Sequence, residues 1–437
     1  MQTMYEKEEE MLDKTKKRLE KVVVPEQLVN DAIQQGVLQA KAKKRKRRKT
    51  LWAFSVAVIL ILTFVTSIRV SPAFASAIST IPGMERFVHL IHLDKGMKAI
   101  VENDYYEPIG ITQVKDSITF TIDGIIIDAT GAEIFYTLEA PYSLENMNFE
   151  SVKFLNDGQE IVSSSGYDTL EMEQTNKKVD KFSFVFKKAE TFKNTNFEVQ
   201  LEVKQANKKT SFHMPFKIEN EIKTGKIYTL NENVEIDGQQ IEVKEIKIYP
   251  LRVAVTLEFD EQNEMKILLF EDMRLEDENG EIWSSIQNGI SGFGKNAKKE
   301  RTYFLQSNYF KEPKELYLKF GKVQALPKEE SYLLVDFAKK EILEQPTLGK
   351  IEVMKVESNT IELKYHPIRQ NYMYSLFSQG ENVKGQIVEI PTQRNWVYEE
   401  EQHTEITLDA KGIINPVKID FVAYPNYLNG SGSIQIK

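Results

Sequence analysis

The chain has 437 residues, of which 41% are hydrophobic and 28% charged, and it contains no cysteine. The lack of cysteine excludes disulfides, thiolate zinc sites and cysteine nucleophiles. The net charge of −8 is uneven, because residues 1–50 carry fourteen Lys and Arg against eight Asp and Glu, whereas residues 70–437 carry 42 against 57. This acidic majority argues against nucleic-acid binding by the bulk of the chain.

Residues 1–40 have the pattern of two short amphipathic helices separated at Pro25. Apolar positions recur at helical spacing on both sides of this proline, at Leu12, Leu19, Val29, Ile33 and Val37. Forty residues of this kind cannot build a core of their own, and short isolated helices are marginal in water. We therefore predict that the apolar stripe on each helix binds a partner protein. The alternative is that the two helices form a solvated spacer.

A cationic run is followed directly by an apolar one. The cations are Lys41, Lys43, Lys44, Arg45, Lys46, Arg47, Arg48 and Lys49. Residues 51–68 carry no charge, and a helix of that length spans ~27 Å, near the thickness of a bilayer core. Cationic flanks remain in the cytoplasm. We therefore predict a cytoplasmic segment 1–50, a transmembrane helix 51–69 and an extracellular bulk, which makes the chain a single-pass protein of the cell membrane.

The alternative for the apolar run is a signal peptide that is removed. Ala73 and Ala75 flank Phe74 in the small-x-small pattern of a cleavage site. An ordinary signal peptide has a shorter apolar region after a short basic start, whereas fifty residues precede this one. We favour the anchor, with conditional cleavage at Ala73 and Ala75 as a further hypothesis.

The remainder is predicted to be mainly β. Residues 70–104 form a helical linker, after which the apolar period changes to two, as in half-buried antiparallel strands. The Asp237-Gly238 pair between alternating segments is a hairpin signal. We predict two to three immunoglobulin-like β-sandwich modules at 105–222, 223–345 and 346–437, of which the third is smaller.

Few residues suggest chemistry. His89 and His92 lie three apart, but no third metal ligand is close in sequence. The glycine-rich stretch 289–294 and the acidic stretch 276–283 have the features of turns between strands, more than of a phosphate loop or a calcium site. We therefore predict no catalytic residues, no metal, no cofactor and no enzymatic activity.

The series "VPEQLVNDAIQQG", "AKKRKRRK", the apolar run and "VSPAFASAISTIPGMERFVHLI" resembles membrane-anchored anti-sigma-factor-like proteins of Gram-positive bacteria. In these proteins the outer part is a family of unknown function, often followed by a second β module. The resemblance is clearest over about 25–140. One departure is that the zinc-binding branch of anti-sigma factors uses a histidine and two cysteines, which this chain lacks.

The resemblance implies that the inner segment sequesters an extracytoplasmic-function sigma factor. The contacts would be the apolar positions Leu12, Leu19, Val29, Ile33 and Val37. The outer modules would sense an envelope signal through an extracellular ligand, and proteolysis outside the membrane would release the sigma factor to regulate transcription. The alternative is a surface-binding or envelope-structural protein on a membrane anchor, with no sigma partner.

Overall fold

The computed structural model describes residues 2–21, 84–91, 94–145, 147–167, 175–205, 207–284, 292–296, 299–366, 375–398 and 400–437. The chain divides into two units, Met1–Ser71 and Pro72–Lys437. The described residues before the β modules contain the helix α1 (Gln2–Glu20), a 3₁₀ turn (Met84–Phe87) and the helices α2 (Val88–Ile91) and α3 (Lys95–Glu102), and the described residues that follow are mainly β. Within the described ranges, no helix has both the length and the apolar character needed to cross a bilayer.

The described residues of the first module form nine strands in two antiparallel sheets. They are β1 (Glu107–Lys115), β2 (Ile118–Asp128), β3 (Gly131–Glu139), β4 (Met147–Asn156), β5 (Gln159–Glu160), β6 (Val162–Gly166), β7 (Lys177–Phe186), β8 (Asn196–Gln205) and β9 (Lys208–Lys217). One sheet has the order β1-β2-β3-β7-β6 and the other β5-β4-β8-β9. Side chains of both sheets share one hydrophobic core, so the module is a two-layer β-sandwich.

Strand β9 illustrates how the sequence determines the buried face. Phe212, Met214 and Phe216 are buried, whereas His213 between them is exposed. Successive side chains of a strand point to opposite faces, so this alternation orients the strand on the core. This strand confirms the predicted change to an apolar period of two.

The second module repeats this arrangement. Its strands are β10 (Lys226–Ile236), β11 (Gln239–Ile248), β12 (Val253–Phe259), β13 (Met265–Phe270), β14 (Arg274–Asp277), β15 (Ile282–Ser284), β16 (Gly292–Asn296), β17 (Glu300–Leu305), β18 (Leu316–Phe320), β19 (Val323–Pro327) and, at the chain end, β29 (Gly432–Gln435). The sheets β10-β11-β12-β17-β16 and β15-β14-β18-β29 follow the strand order of the first module, with β13-β19 as an extra ribbon.

The third module is inserted between β19 and β29 of the second. Its strands are β20 (Tyr332–Asp336), β21 (Glu341–Glu344), β22 (Ile351–Val356), β23 (Thr360–Tyr365), β24 (Phe377–Asn382), β25 (Ile387–Glu389), β26 (Thr392–Tyr398), β27 (Glu401–Thr407) and β28 (Val417–Phe421), with 3₁₀ turns at Lys328–Glu330 and Ala410–Gly412. The sheets β21-β20-β28-β24-β25 and β22-β23-β27-β26 enclose a separate core.

The ribbon β13-β19 is a wall shared by the second and third cores. Ile267 and Ala325 lie in the second core, whereas the neighbouring residues Leu268 and Leu326 lie in the third. Because alternate side chains point in opposite directions, one ribbon contributes to both cores. The two modules are therefore fused through common strands rather than joined by a linker.

Two details differ from the expectations. The expected boundary between residues 345 and 346 places β20 and β21 in the second module, although they belong to a sheet of the third. The same boundary assigns β29 to the third module, although β29 pairs with β18 of the second. The immunoglobulin order A-B-E-D places the third strand in the opposite sheet. Here β1, β2 and β3 are neighbours in one sheet. The pairing of β29 with β18, more than a hundred residues apart, causes the first difference.

Candidate functional site

Helix α1 contains Leu12 and Leu19, the two residues of the expected partner surface that the structure describes. Leu12 and Leu19 are 69% and 68% exposed. Seven residues separate them, which places them on nearly the same face of a helix. Ion pairs one turn apart, Lys14–Glu10 at 3.1 Å and Lys17–Asp13 at 2.6 Å, support the helix on other faces. An apolar face on a charged helix is the arrangement that a helix-binding groove recognises.

The other predicted site residues lie outside the described residues. They comprise the second apolar stripe (Val29, Ile33, Val37), the cationic run (Lys41, Lys43, Lys44, Arg45, Lys46, Arg47, Arg48, Lys49), the apolar run 51–69 and the cleavage motif at Ala73 and Ala75. They stay predictions.

Residues 84–91 and 94–106 pack between the first and second modules, and we call them the wedge. Phe87 and Tyr106 pack edge-on against Phe135 on the outer face of the first sheet, with ring centroids 5.1 and 5.5 Å apart. Tyr105 contacts Phe310 of the second module at 5.7 Å. These side chains share one buried cluster with Leu251 of the second module. The segment that follows the predicted anchor is thus held by both modules at once.

Polar contacts fix the wedge in place. The Tyr105 hydroxyl donates to the carbonyl oxygen of Ile127 at 2.7 Å and accepts from the Lys223 backbone N–H at 2.9 Å. Burial raises the pKa of Tyr105 well above its usual value, so it remains a neutral donor. Asp94 caps α3 by accepting from the Met97 N–H at 3.0 Å. These bonds satisfy polar groups that would otherwise be buried unpaired.

Asp128 joins the first module to the β11–β12 turn of the second. One carboxylate oxygen accepts from the Thr130 N–H and hydroxyl, each at 2.7 Å, and the other accepts from the Leu251 N–H at 2.8 Å. Asp128 is fully buried, and this burial raises its pKa, while the nearby Arg252 and the hydrogen bonds act in the opposite direction. A buried carboxylate with several donors is a specific link between modules.

Arg252 completes this junction. Its guanidinium is buried, lies 3.9 Å from Glu133 and 5.2 Å from the Phe304 ring centroid, and donates to the Phe184 carbonyl oxygen at 3.4 Å. Glu133 also accepts from the Lys181 ammonium and the Ser183 hydroxyl, each at 2.6 Å. The wedge, Asp128 and Arg252 therefore form a three-way junction, which we call the module junction.

Sequence reasoning missed the module junction. Asp128 ends the apolar run "GIIID" and Arg252 follows "YPL" in a turn, so each has the sequence context of an exposed loop residue. Asp128 alone gave a signal, because Asp two residues before a threonine or a glycine often binds backbone N–H groups in turns. Nothing in the sequence indicated that both charged side chains are buried at the same boundary between modules.

Two clefts lie on the second module and beside the third. One, of ≈ 350 Å³, is lined by polar residues that include Gln240, Glu242 and Glu258, and a neighbouring one, of ≈ 310 Å³, is lined by Lys266 and Lys418 among others. Among the residues that the structure describes, no group of three potential metal ligands is close enough to hold an ion.

Residues 44–140 match a family described as "Domain of unknown function (DUF4179)", and residues 225–364 match a "Family of unknown function (DUF5643)". The crystal structure of the conserved domain protein from Bacillus anthracis aligns with 55% of this chain and 84% of that chain, at 16% identity and a TM-score of 0.39. The comparison with curated proteins gives no significant match.

Proposed function

We propose that the chain is a single-pass membrane regulator that sequesters an extracytoplasmic-function sigma factor through its cytoplasmic helices. The observation that carries the proposal is the exposed pair Leu12 and Leu19 on the charged helix α1. The match of residues 44–140 to DUF4179, a family often associated with anti-sigma-factor-like proteins, supports it. The cationic run before the apolar run supports the membrane orientation.

The module junction suggests how an outer signal would reach the membrane. The wedge follows the predicted anchor and packs on both the first and second modules. A ligand that changes the arrangement of these modules must also change the contacts of the wedge, since one buried cluster contains all three. In the proposal, release of the wedge exposes the chain near the predicted Ala73 and Ala75 site to proteolysis.

The test compares full-length chains in their native membrane. Replacement of Leu12 and Leu19 by Asp should weaken capture of the sigma factor at least about a hundredfold, because two apolar contacts are lost. The matched control replaces Glu10 and Lys14 by Ala on the opposite face of α1, where one ion pair disappears and the net charge is kept. Transcription from the sigma-dependent promoter should rise in the first variant alone.

If both variants retain the sigma factor equally, the α1 surface is not the contact. If no sigma factor accompanies even the unaltered chain and transcription is unchanged, the alternative holds, which is a surface-binding or envelope-structural protein on an anchor. The exposed aromatic residues of the third module are the observation that favours that alternative.

A further inference from the structure

The β26–β27 hairpin of the third module exposes apolar side chains at the edge of a sheet. Trp396, Val397 and Tyr398 are 38%, 58% and 60% exposed. Strand β26 is last in the order β22-β23-β27-β26, and among the described residues no strand pairs with its other edge. Soluble proteins usually protect such an edge with Pro, Lys or a covering element. An apolar edge of this kind is a site for an added strand.

The aromatic side chains of the hairpin are held in place before any ligand binds. Trp396 is directly opposite His403 in the strand register, and their rings stack at 5.3 Å with an interplanar angle of 18°. Tyr398 contacts the same imidazole edge-on at 6.4 Å. Fixed rings lose little conformational freedom on binding, so they can contribute most of their contact energy.

The charge around these rings is negative. Residues 392–407 contain Arg394 as the one cation against four glutamates, and three of the four directly follow Tyr398 in "WVYEEE". Arg394 lies 3.8 Å from Glu405, and Glu401 lies 3.4 Å from Lys364. The surrounding residues 70–437 are also acidic overall. A positively charged ligand is therefore attracted both locally and at a distance.

We propose that the β26–β27 hairpin binds a cationic peptide that alternates basic and apolar side chains and adds as a strand along β26. The basic side chains contact the rings of Trp396 and Tyr398 and the glutamates Glu401 and Glu405 on the same face of the sheet, while the apolar side chains contact Val397 on the other face. A second copy of this chain would bring the same acidic hairpin to the edge, and like charges would oppose that contact. Charge complementarity thus favours the cationic peptide.

This inference rests on the proposed function, since it names the class of ligand that the outer modules sense. The binding measurement uses no sigma factor, so the two proposals can fail separately. A variant that no longer binds the sigma factor should still bind the peptide. A chain that does not bind the peptide can still bind a sigma factor.

The test uses the full-length chain in nanodiscs of uncharged phosphatidylcholine, with fluorescence anisotropy of a labelled peptide that alternates lysine and valine. Replacement of Trp396 and Tyr398 by Ser should raise the Kd about tenfold or more. Replacement of Glu401 and Glu405 by Gln should raise it several-fold and reduce its dependence on salt. The single change Tyr398→Ser, at an exposed side chain, provides a variant that keeps the Trp396 stack.

The matched control is Val383→Ser with Ile387→Ser, which removes two exposed apolar side chains elsewhere on the third module. It should leave the Kd within about twofold. Two further peptides test the contributions of charge and of apolar contacts separately. A peptide that alternates glutamate with valine lacks the positive charge, and one that alternates lysine with serine lacks the apolar side chains. Each should bind at least about tenfold more weakly.

The proposal is overturned if the Trp396 and Tyr398 variants bind as tightly as the unaltered chain while thermal unfolding shows them folded. Equal binding of the glutamate–valine peptide overturns it too. The proposal is also overturned if the unaltered chain binds no peptide but sediments as a dimer, and the same serine variants sediment as monomers. In that case the edge of β26 would bind a second copy of the chain.

Discussion

The insertion of the third module makes the second module depend on the last residues of the chain. Ile434 of β29 is 4% exposed, lies opposite Leu318 of β18 and belongs to the second core. Replacement of a buried isoleucine by alanine costs about 2–5 kcal/mol. With a urea m value of about 2 kcal/mol/M, the unfolding midpoint of the second module should fall by about 1–2.5 M.

The assay follows Trp283, which is 2% exposed in the same core, in a chain whose other tryptophans, Trp52 and Trp396, are replaced by Phe. The matched control is Gln435→Ala on the exposed face of the same strand, with an expected change below about 0.5 kcal/mol. If Ile434→Ala and Gln435→Ala give the same Trp283 midpoint in urea, β29 is not part of the second module and the insertion is wrong.

Three further predictions concern stability. Arg252→Met should lower the free energy of unfolding by about 3–5 kcal/mol in urea titration, because it leaves Glu133 without this buried cation, and adding Glu133→Gln should recover part of the loss. Gly124→Ala should cost about 1–3 kcal/mol by thermal unfolding, since its Cβ would lie 2.2 Å from the Tyr106 hydroxyl. Two lysine partners hold the pKa of Glu357 at about 2, against an ordinary 4.5, so a carboxyl NMR titration should find its midpoint near 2.

The sign of the Glu357 effect follows from linkage. Its pKa is lower in the folded chain, so its stabilisation is present above the unfolded value and is lost as the pH falls toward about 2. Lys340 and Lys355 are the partners, at 2.5 and 2.9 Å, and Lys340→Met should raise the midpoint. Because Glu357 is exposed, added salt should reduce the shift. A midpoint near 4.5 in low salt would contradict the contacts.

For Gly124→Ala, the control is Gly166→Ala, whose Cβ would meet only the Ser183 Cβ at 4.0 Å. Equal unfolding temperatures for the two variants would show that Tyr106 does not pack against Gly124. For Arg252→Met, unchanged stability would mean that the module junction contributes no net free energy.

Alternation in the sequence was enough to predict the strands and their buried faces. Phe182, Phe184 and Phe186 recur at every second position, and all three are buried on β7. The Asp237-Gly238 turn was predictable because both residues adopt positive φ, 51° and 75°, between β10 and β11. These features were predictable because each depends only on residues that are close together in the sequence.

Pairing over long sequence separations was not predictable. The pattern of β29 indicates a buried face but not which sheet receives it, and its partner β18 lies more than a hundred residues earlier. Arg252 was missed for a related reason, since a charged residue is expected at the surface and its burial depends on a carboxylate of another module. The partner surface of α1 stays a prediction, because a solvated helix and a docking helix share one pattern.

The most direct test of the central claim is photo-crosslinking in living cells. A photoreactive residue at Lys16, about one turn from Leu12 on the apolar face of α1, is compared with one at Lys14 on the opposite face. The account predicts a crosslink to a sigma factor from position 16, little from position 14, and loss of the crosslink when Leu12 and Leu19 are both Asp. Crosslinks from position 16 to extracellular proteins, or equal crosslinks from both positions, would contradict it.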